Sequence, residues 1–240
     1  MKMIKCIMFD FGGTLMFFTD RALAAKVYTK LLRKRGFDVS YKNVKKLRDE
    51  EATKNLRRTY GDPSRHGGHD TTVIKNVVVR LGLKISTKDI GKLRKDFDKE
   101  MCKRFHLYPG TIPVLKCLKK RGYIIVILSN GTMSWVKKDL RRFKIKKYFD
   151  LIITSQEFGS EKSDLHMFRD AMKKFKLKPK ECVMIGDRLD EDTHAKRLGI
   201  WTVHAAYGPD IPIVGRYVKP DFRIKSVPEL LRIIEKLDKK

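Results

Sequence analysis

Short apolar runs alternate with helical patterns along most of this chain, and that alternation restricts its fold more than any other feature. The first run covers residues 3–9, is interrupted by Lys5, and stops at Asp10 and the pair Gly12-Gly13. The second covers 123–128, follows Gly122 and precedes Ser129-Asn130-Gly131. Shorter runs follow at 151–153, 182–185 and 200–203. A short β-branched run that is apolar at successive positions suits a parallel strand buried on both faces. Between the runs, apolar residues return at helical spacing. Ile112, Leu115 and Leu118 follow the candidate N-cap Thr111; Val136, Leu140 and Phe143 form a second stripe; Phe168, Ala171, Met172 and Phe175 form a third. Strand, helix, strand in this order predicts right-handed βαβ units, an α/β fold with helices on both faces of a parallel sheet.

The stretch from about residue 18 to 105 breaks the pattern. It carries helical stripes and no convincing strand: Leu23, Val27 and Leu31; Val73, Val77 and Leu81 before Gly82; and Ile90, Leu93, Phe97 and Met101. Ser86 with Asp89 three residues on opens the last as a capping-box-like pair. Val44 and Leu47 suggest a further, less clear helix, and a polar, Gly-rich loop over 60–70 separates the second and third stripes. The segment is expected to be a helical insertion between the first and second core strands.

With 240 residues, 42% of them hydrophobic, the chain can build a sizeable core, and disorder is excluded as its main state. No apolar run approaches the roughly 18 residues of a membrane span. Cys6, Cys102, Cys117 and Cys182 form no CxxC pair, so neither a disulfide framework nor a zinc site is expected, which suits a reducing cytoplasm. The formal net charge is +27. It is spread evenly, +13 over residues 16–108 and +14 over the rest, which argues less for a groove-reading site than one patch would. The basic run 137–147 alternates with Val136, Leu140 and Phe143, and its simplest reading is an amphipathic helix with a solvated basic side.

Ligands of open α/β sheets bind at the carboxyl ends of the strands. Here those ends carry Asp10, then Ser129-Asn130, then Asp187 within Gly-Asp-Arg-Leu-Asp-Glu-Asp192, with Lys162 in the loop after the third run. The set suits phosphoryl transfer. A carboxylate is a competent nucleophile toward phosphorus, yet it repels a phosphate dianion by about 4 kcal/mol per charge pair at 4 Å and an effective dielectric near 20. A hard cation held by Asp10 and Asp187 would cancel that repulsion, and oxygen ligands suit Mg²⁺. Lys162 would add a point charge. Thr14, Ser129 and backbone N–H groups would hold the non-reacting oxygens.

At these residues the chain resembles the haloacid dehalogenase (HAD) superfamily. Its motifs occur in order as Asp10-Phe-Gly-Gly-Thr-Leu15, Ile-Leu-Ser129-Asn, Gly-Ser-Glu-Lys162 and Met-Ile-Gly-Asp187-Arg-Leu-Asp-Glu-Asp192. The resemblance implies a Rossmann-like core over 1–15 and 109–240, and a C1-type all-helical cap over 16–108 that closes over the site and selects the substrate. It implies a cytoplasmic, Mg²⁺-dependent phosphatase acting on a small phosphorylated metabolite. Asp10 would form an aspartyl-phosphate and also ligate the metal. The Gly12 carbonyl and Asp187 would complete the protein's metal ligands, with Asp192 acting from further out or through water. Thr14 and Ser129, with Asn130 beside them, would bind the phosphoryl group, and Lys162 would neutralise charge.

The chain departs from that pattern at Gly12, where most phosphatases of the family carry an Asp as general acid/base. A general acid is worth about 10²–10⁴-fold. Two other readings follow: a basic, nucleic-acid-binding or low-activity scaffold, and a haloacid dehalogenase, whose halide leaving group needs no proton. The metal-binding form of the last motif argues against the dehalogenase. No membrane partner is expected. His66 and His69, with Asp70, are candidates for a proton donor or second metal site, although such a loop is more often plain surface. Asp190 and Glu191 are expected to be solvated helix-start residues, and His194 to lie on a helix surface.

Overall fold

The computed structural model describes residues 3–18, 22–59, 69–209, 213 and 215–239. The chain forms two compact units, one built on Met1–Phe17 and Leu107–Lys240, the other on Phe18–Tyr60 and Gly67–His106. In chain order the elements are β1 (Cys6–Phe9), β2 (Met16–Phe18), α1 (Leu23–Arg33), α2 (Tyr41–Thr59), α3 (His69–Arg80), α4 (Thr87–Cys102) and β3 (Phe105–Leu107). They continue with α5 (Thr111–Lys120), β4 (Ile124–Ser129), α6 (Met133–Arg142), β5 (Leu151–Thr154), α7 (Ser155–Phe158) and α8 (His166–Lys174). The last are β6 (Cys182–Gly186), α9 (Leu189–Asp192), β7 (Trp201–Ala205), β8 (Phe222–Ile224) and α10 (Glu229–Asp238).

The first unit is a six-stranded sheet of order β5-β4-β1-β6-β7-β8, parallel throughout. Chain direction across the sheet reverses at the β1/β6 boundary, where strand order places the ligand crevice. β1, β4 and β6 are almost wholly buried, as strands covered on both faces must be. Cys6 and Met8 of β1 pack with Val126, Leu128, Met184, Met167, Phe168 and Ala171 on one face, and the intervening Ile7 and Phe9 point to the other. Each fully buried side chain of this size contributes about 1.5–3 kcal/mol. Register sets the functional edge: Phe9 pairs with both Ile127 and Ile185, so the residues just beyond β1, β4 and β6 emerge together.

β8 and α10 close the far side of the sheet and left little trace in the sequence. β8 is a three-residue edge strand, too short for a periodic signal. Asp221 before it accepts hydrogen bonds from both the Thr202 N–H and hydroxyl at 2.9 Å. Asp238 at the end of α10 accepts from the Ile4 N–H at 2.9 Å and from the Tyr123 hydroxyl, which ties the last helix to the start of β1.

In the second unit α2 packs on α1 and α3, and α4 packs on α1 and α3. Ser86 caps α4 as expected: its hydroxyl accepts from the Asp89 N–H at 3.1 Å and donates to the Asp89 carboxylate at 2.7 Å. Tyr28 and Phe97 stack with ring centroids 4.0 Å apart, joining α1 to α4. α2 is longer than its sparse apolar residues suggest. The reason is polar: buried Glu51 accepts from Asn76 at 2.8 Å and Arg80 at 2.9 Å on α3. These bonds, that from Asn76 foremost, lower the Glu51 pKa. No described helix is long and apolar enough to cross a membrane.

Candidate active site

Asp10 extends β1 by one ladder bond, its N–H donating to the Ile185 carbonyl at 2.8 Å. Asp187 follows Gly186 at the end of the neighbouring β6. Lys162 reaches them from the short 3₁₀ turn Lys162–Asp164. Glu161 and Asp164 cap that turn, and Asn130 accepts from the Lys162 N–H at 3.0 Å. The side chain is wholly buried, and Nζ lies 2.7 Å from Asp10 Oδ1, 2.5 Å from Asp192 Oδ1 and 3.6 Å from Glu191 Oε2. Burial alone would strip an ammonium of its proton. Asp10, Asp192 and Glu191 outweigh it and hold the lysine pKa well above its ordinary value.

The carboxylate pKa values rise as well, which for an acid favours the neutral form. Burial, then the charges of Asp10 and Asp192, push Asp187 well above the usual carboxylate range. Burial pushes Asp192 up to about 7 against the opposing pull of Lys162. Glu191 is raised by burial as well. Thr14, fully buried, donates to Asp187 Oδ1 at 3.0 Å. Asp187 Oδ2 is buried with no hydrogen-bond partner.

Asp10, Asp187 and Asp192 can each point a carboxylate oxygen into one spot, with those atoms within 4.8 Å of one another. Four buried or nearly buried carboxylates, Asp10, Asp187, Glu191 and Asp192, face the single ammonium of Lys162. The nearby Arg188 guanidinium is already engaged bidentately by Asp190, at 3.0 and 2.9 Å. An all-oxygen set with excess negative charge and one unpartnered oxygen fits a hard divalent cation. Glycines make room for it: a Cβ at Gly13 or Gly208 would collide with the Asp187 side chain, and one at Gly186 with that of Asp192.

The structure brings Asp10, Thr14, Lys162 and Asp187 together as two hydrogen-bonded groups, Lys162 with Asp10 and Asp192 and Thr14 with Asp187, and sets Asn130 against the backbone of Lys162. The Thr14 hydroxyl, expected on the phosphoryl group, is spent on Asp187 here. Ser129 ends β4 with 8% exposure, and the Asn130 amide nitrogen is buried without a partner. Gly12 forms an isolated bridge with Met16 in the turn after Asp10. His66 and the side chains of His69 and Asp70 lie outside the described residues.

Two sequence expectations are corrected. Asp190 is fully buried beneath Arg188 and Glu191 is mostly buried against Lys162, so neither is a solvated helix-start residue. His194 is 5% exposed, its ring nitrogens 3.2 Å from the Ser163 carbonyl and 2.7 Å from that of Arg216, so it braces the turn that carries Lys162. Sequence reasoning also passed over Tyr207, whose hydroxyl donates to the Thr14 carbonyl at 2.9 Å. Tyr108 packs edge-on against it with centroids 4.7 Å apart.

Buried carboxylates gathered by a buried lysine at the switch point of a parallel sheet define a class. The sequence profile of the haloacid dehalogenase-like hydrolases matches residues 4–199, and the chain belongs to that family. It is 30% identical over 240 residues to the glyceraldehyde 3-phosphate phosphatase of Methanocaldococcus jannaschii, covering 99% of this chain and 100% of that one. It is 28% identical over 246 residues to the enzyme of the same name from Methanopyrus kandleri, covering 99% and 100%. Among solved structures, the putative HAD-hydrolase YfnB of Bacillus subtilis bound to magnesium shares the fold with a TM-score of 0.74 at 18% identity, over 98% of this chain and 100% of that one.

Proposed function

We propose that this chain is a Mg²⁺-dependent phosphatase that hydrolyses a small phosphate monoester through an aspartyl-phosphate on Asp10. One observation carries the reading: Asp10 is clamped by the buried Lys162 beside Asp187, whose outer oxygen has no partner. The names of the relatives make glyceraldehyde 3-phosphate the first substrate to try.

Asp10, the Gly12 carbonyl and Asp187 would hold the cation, and Asp192 presents an oxygen to the same spot. When bound, the cation supplies positive charge against the phosphate dianion and the carboxylates. Lys162 fixes Oδ1 of Asp10, which leaves Oδ2 to attack phosphorus as the P–O bond to the alcohol breaks. The Lys162 ammonium also offsets charge growing on the phosphoryl oxygens. Asp192 holds Lys162 in place and is held in turn by the Arg188 N–H at 2.9 Å. The Ser129 hydroxyl and the unpartnered Asn130 amide donate to the non-reacting oxygens. Water then attacks phosphorus, freeing phosphate and restoring the Asp10 carboxylate. Gly12 brings no proton to the leaving oxygen, so solvent protonates it and poor leaving groups react slowly. The helical segment 16–108 takes the part of the substrate-selecting cap.

The test is hydrolysis of an aryl phosphate and of glyceraldehyde 3-phosphate with Mg²⁺, by the wild type and by Asp10→Asn. The reading requires turnover by the wild type that Asp10→Asn and a chelator each abolish. Equal rates in the two proteins would remove Asp10 as the nucleophile. Halide release from a haloacid that survives chelation would make the chain a dehalogenase.

A further inference from the structure

The acidic site occupies the carboxyl edge of the sheet and leaves the net charge of +27 without a role. Topology sorts part of that charge. α5, α6 and α8 precede β4, β5 and β6, and each runs back against its strand, so their C-terminal ends lie at the opposite, amino edge. There the chain exposes Lys144, Lys146 and Lys147 after α6, and Lys174, Lys176 and Lys180 at the end of α8 and beyond it. None of the six is paired with a carboxylate among the described residues. Of the acidic groups nearby, Asp150 is engaged by Lys119 at 2.8 Å, Glu181 by Lys5 at 2.6 Å and Asp139 by Arg142 at 3.1 Å, and exposed Asp170, one turn before Lys174 on α8, forms no ion pair with it.

Backbone conformation supplies a second, independent observation. α6 and α8 end in turns that need a left-handed residue. The Ile145 N–H reaches back to the Leu140 carbonyl at 3.0 Å, and that of Leu177 to Met172 at 2.9 Å. The left-handed positions are Lys144, φ 57°, and Lys176, φ 52°. After α1, α3 and α5 the equivalent positions are Gly36, Gly82 and Gly122. An L side chain is strained in this conformation, and glycine is the usual solution. The helix dipole favours a cation, but Arg141, Arg142, Lys173 and Lys174 in the last turns already supply one. Lysine at the two strained positions keeps charge on this edge against the local backbone preference.

We propose that the amino edge of the sheet, opposite the catalytic edge, is a docking face for the phosphodiester backbone of a nucleic-acid duplex. Adjacent strands lie about 4.8 Å apart, so β5, β4, β1 and β6 span about 14 Å. A duplex presents one negative charge per about 1.7 Å, roughly eight over that length, facing the six unpaired lysines. Lysines act as mobile point charges, so the face binds without reading sequence. The exposed large hydrophobic residues, Val79, Ile112, Phe158, Ile213 and Tyr217, belong to none of these three helix ends. Among the described residues the edge therefore lacks the apolar insertion that a membrane-binding surface combines with its basic residues.

The test is anisotropy of labelled RNA and DNA duplexes of mixed sequence, titrated with the full chain over a range of salt. The edge variants are Lys144→Gln/Lys146→Gln/Lys147→Gln and Lys174→Gln/Lys176→Gln/Lys180→Gln. The control is Lys42→Gln/Lys46→Gln/Lys95→Gln, all three exposed on the helical unit. Each edge variant should lower the slope of log K against log salt by about 2–3 and weaken low-salt binding at least about tenfold. The control should keep the wild-type slope, and catalytic turnover should be unchanged in all three. Three results would overturn the proposal: no duplex binding by the wild type at about 0.15 M salt, a control that loses as much as the edge variants, or binding to phosphatidylserine vesicles but to neither duplex.

Discussion

Lys162 donates to Asp192 across 2.5 Å, in a site where neither side chain meets solvent appreciably. The contact is bought with the desolvation of both ions, and Asp10 and Glu191 share the same ammonium. Removing the cation would strand three carboxylates in a nearly dry space. Breaking a buried pair by deleting one partner costs about 3–5 kcal/mol. Lys162→Met should therefore lose about that much stability in urea denaturation, besides losing activity. A variant as stable as the wild type would show that the lysine is not the keystone of the cluster.

The carboxylates give the metal-free protein a pH dependence of definite sign. Asp187 and Asp192 have folded pKa values above the usual carboxylate range, that of Asp192 up to about 7, because both are buried. The folded state thus holds more protons than the unfolded one. The stability this provides is complete below the unfolded pKa of about 4 and is lost as pH rises through the folded values. In chelator, the melting temperature should fall between pH 5 and 8. Mg²⁺, which binds the ionised form, should restore more stability at pH 8 than at pH 5. A melting temperature that rises with pH in chelator would reverse the assignment.

Gly12 is the position where the chain departs from most phosphatases of its family. A Cβ there would meet nothing within 4 Å, so Gly12→Asp introduces no clash at Cβ. It should raise kcat on an alkyl phosphate by about a hundredfold, the low end of what a general acid supplies, and change an aryl phosphate, whose leaving group needs little help, much less. Equal effects on the two substrates would show that the carboxyl acts otherwise than as an acid.

Gly186 is restricted by contact rather than by dihedral angle, since a Cβ would fall on the Asp192 carboxylate. Gly186→Ala should displace Asp192 from Lys162 and weaken Mg²⁺ binding. Calorimetric titration with Mg²⁺ checks this, and an unchanged affinity would mean that Asp192 does not shape the site.

The core strands and the residues at their ends were legible because a doubly buried parallel strand is apolar at successive positions and stops where it meets the ligand edge. Asp10, Ser129 and Asp187 stand at such stops, and Lys162 in the loop beyond β5. Glu191, Asp190 and His194 were misread because they lie on a short helical stretch that, by charge alone, resembles a solvated helix start. Their burial depends on Lys162, Arg188 and the carbonyls of Ser163 and Arg216, partners brought by tertiary structure and not by spacing. α2 was underestimated for a similar reason, since Glu51 anchors it through Asn76 and Arg80 rather than through an apolar stripe.

The central claim is covalent. Acid quenching during turnover of an aryl phosphate with Mg²⁺, followed by peptide mass analysis, should find one added phosphoryl group on the peptide carrying Asp10, absent from Asp10→Asn. Undiminished turnover with no phosphoryl group on that peptide, or with the group on another residue, would contradict the account.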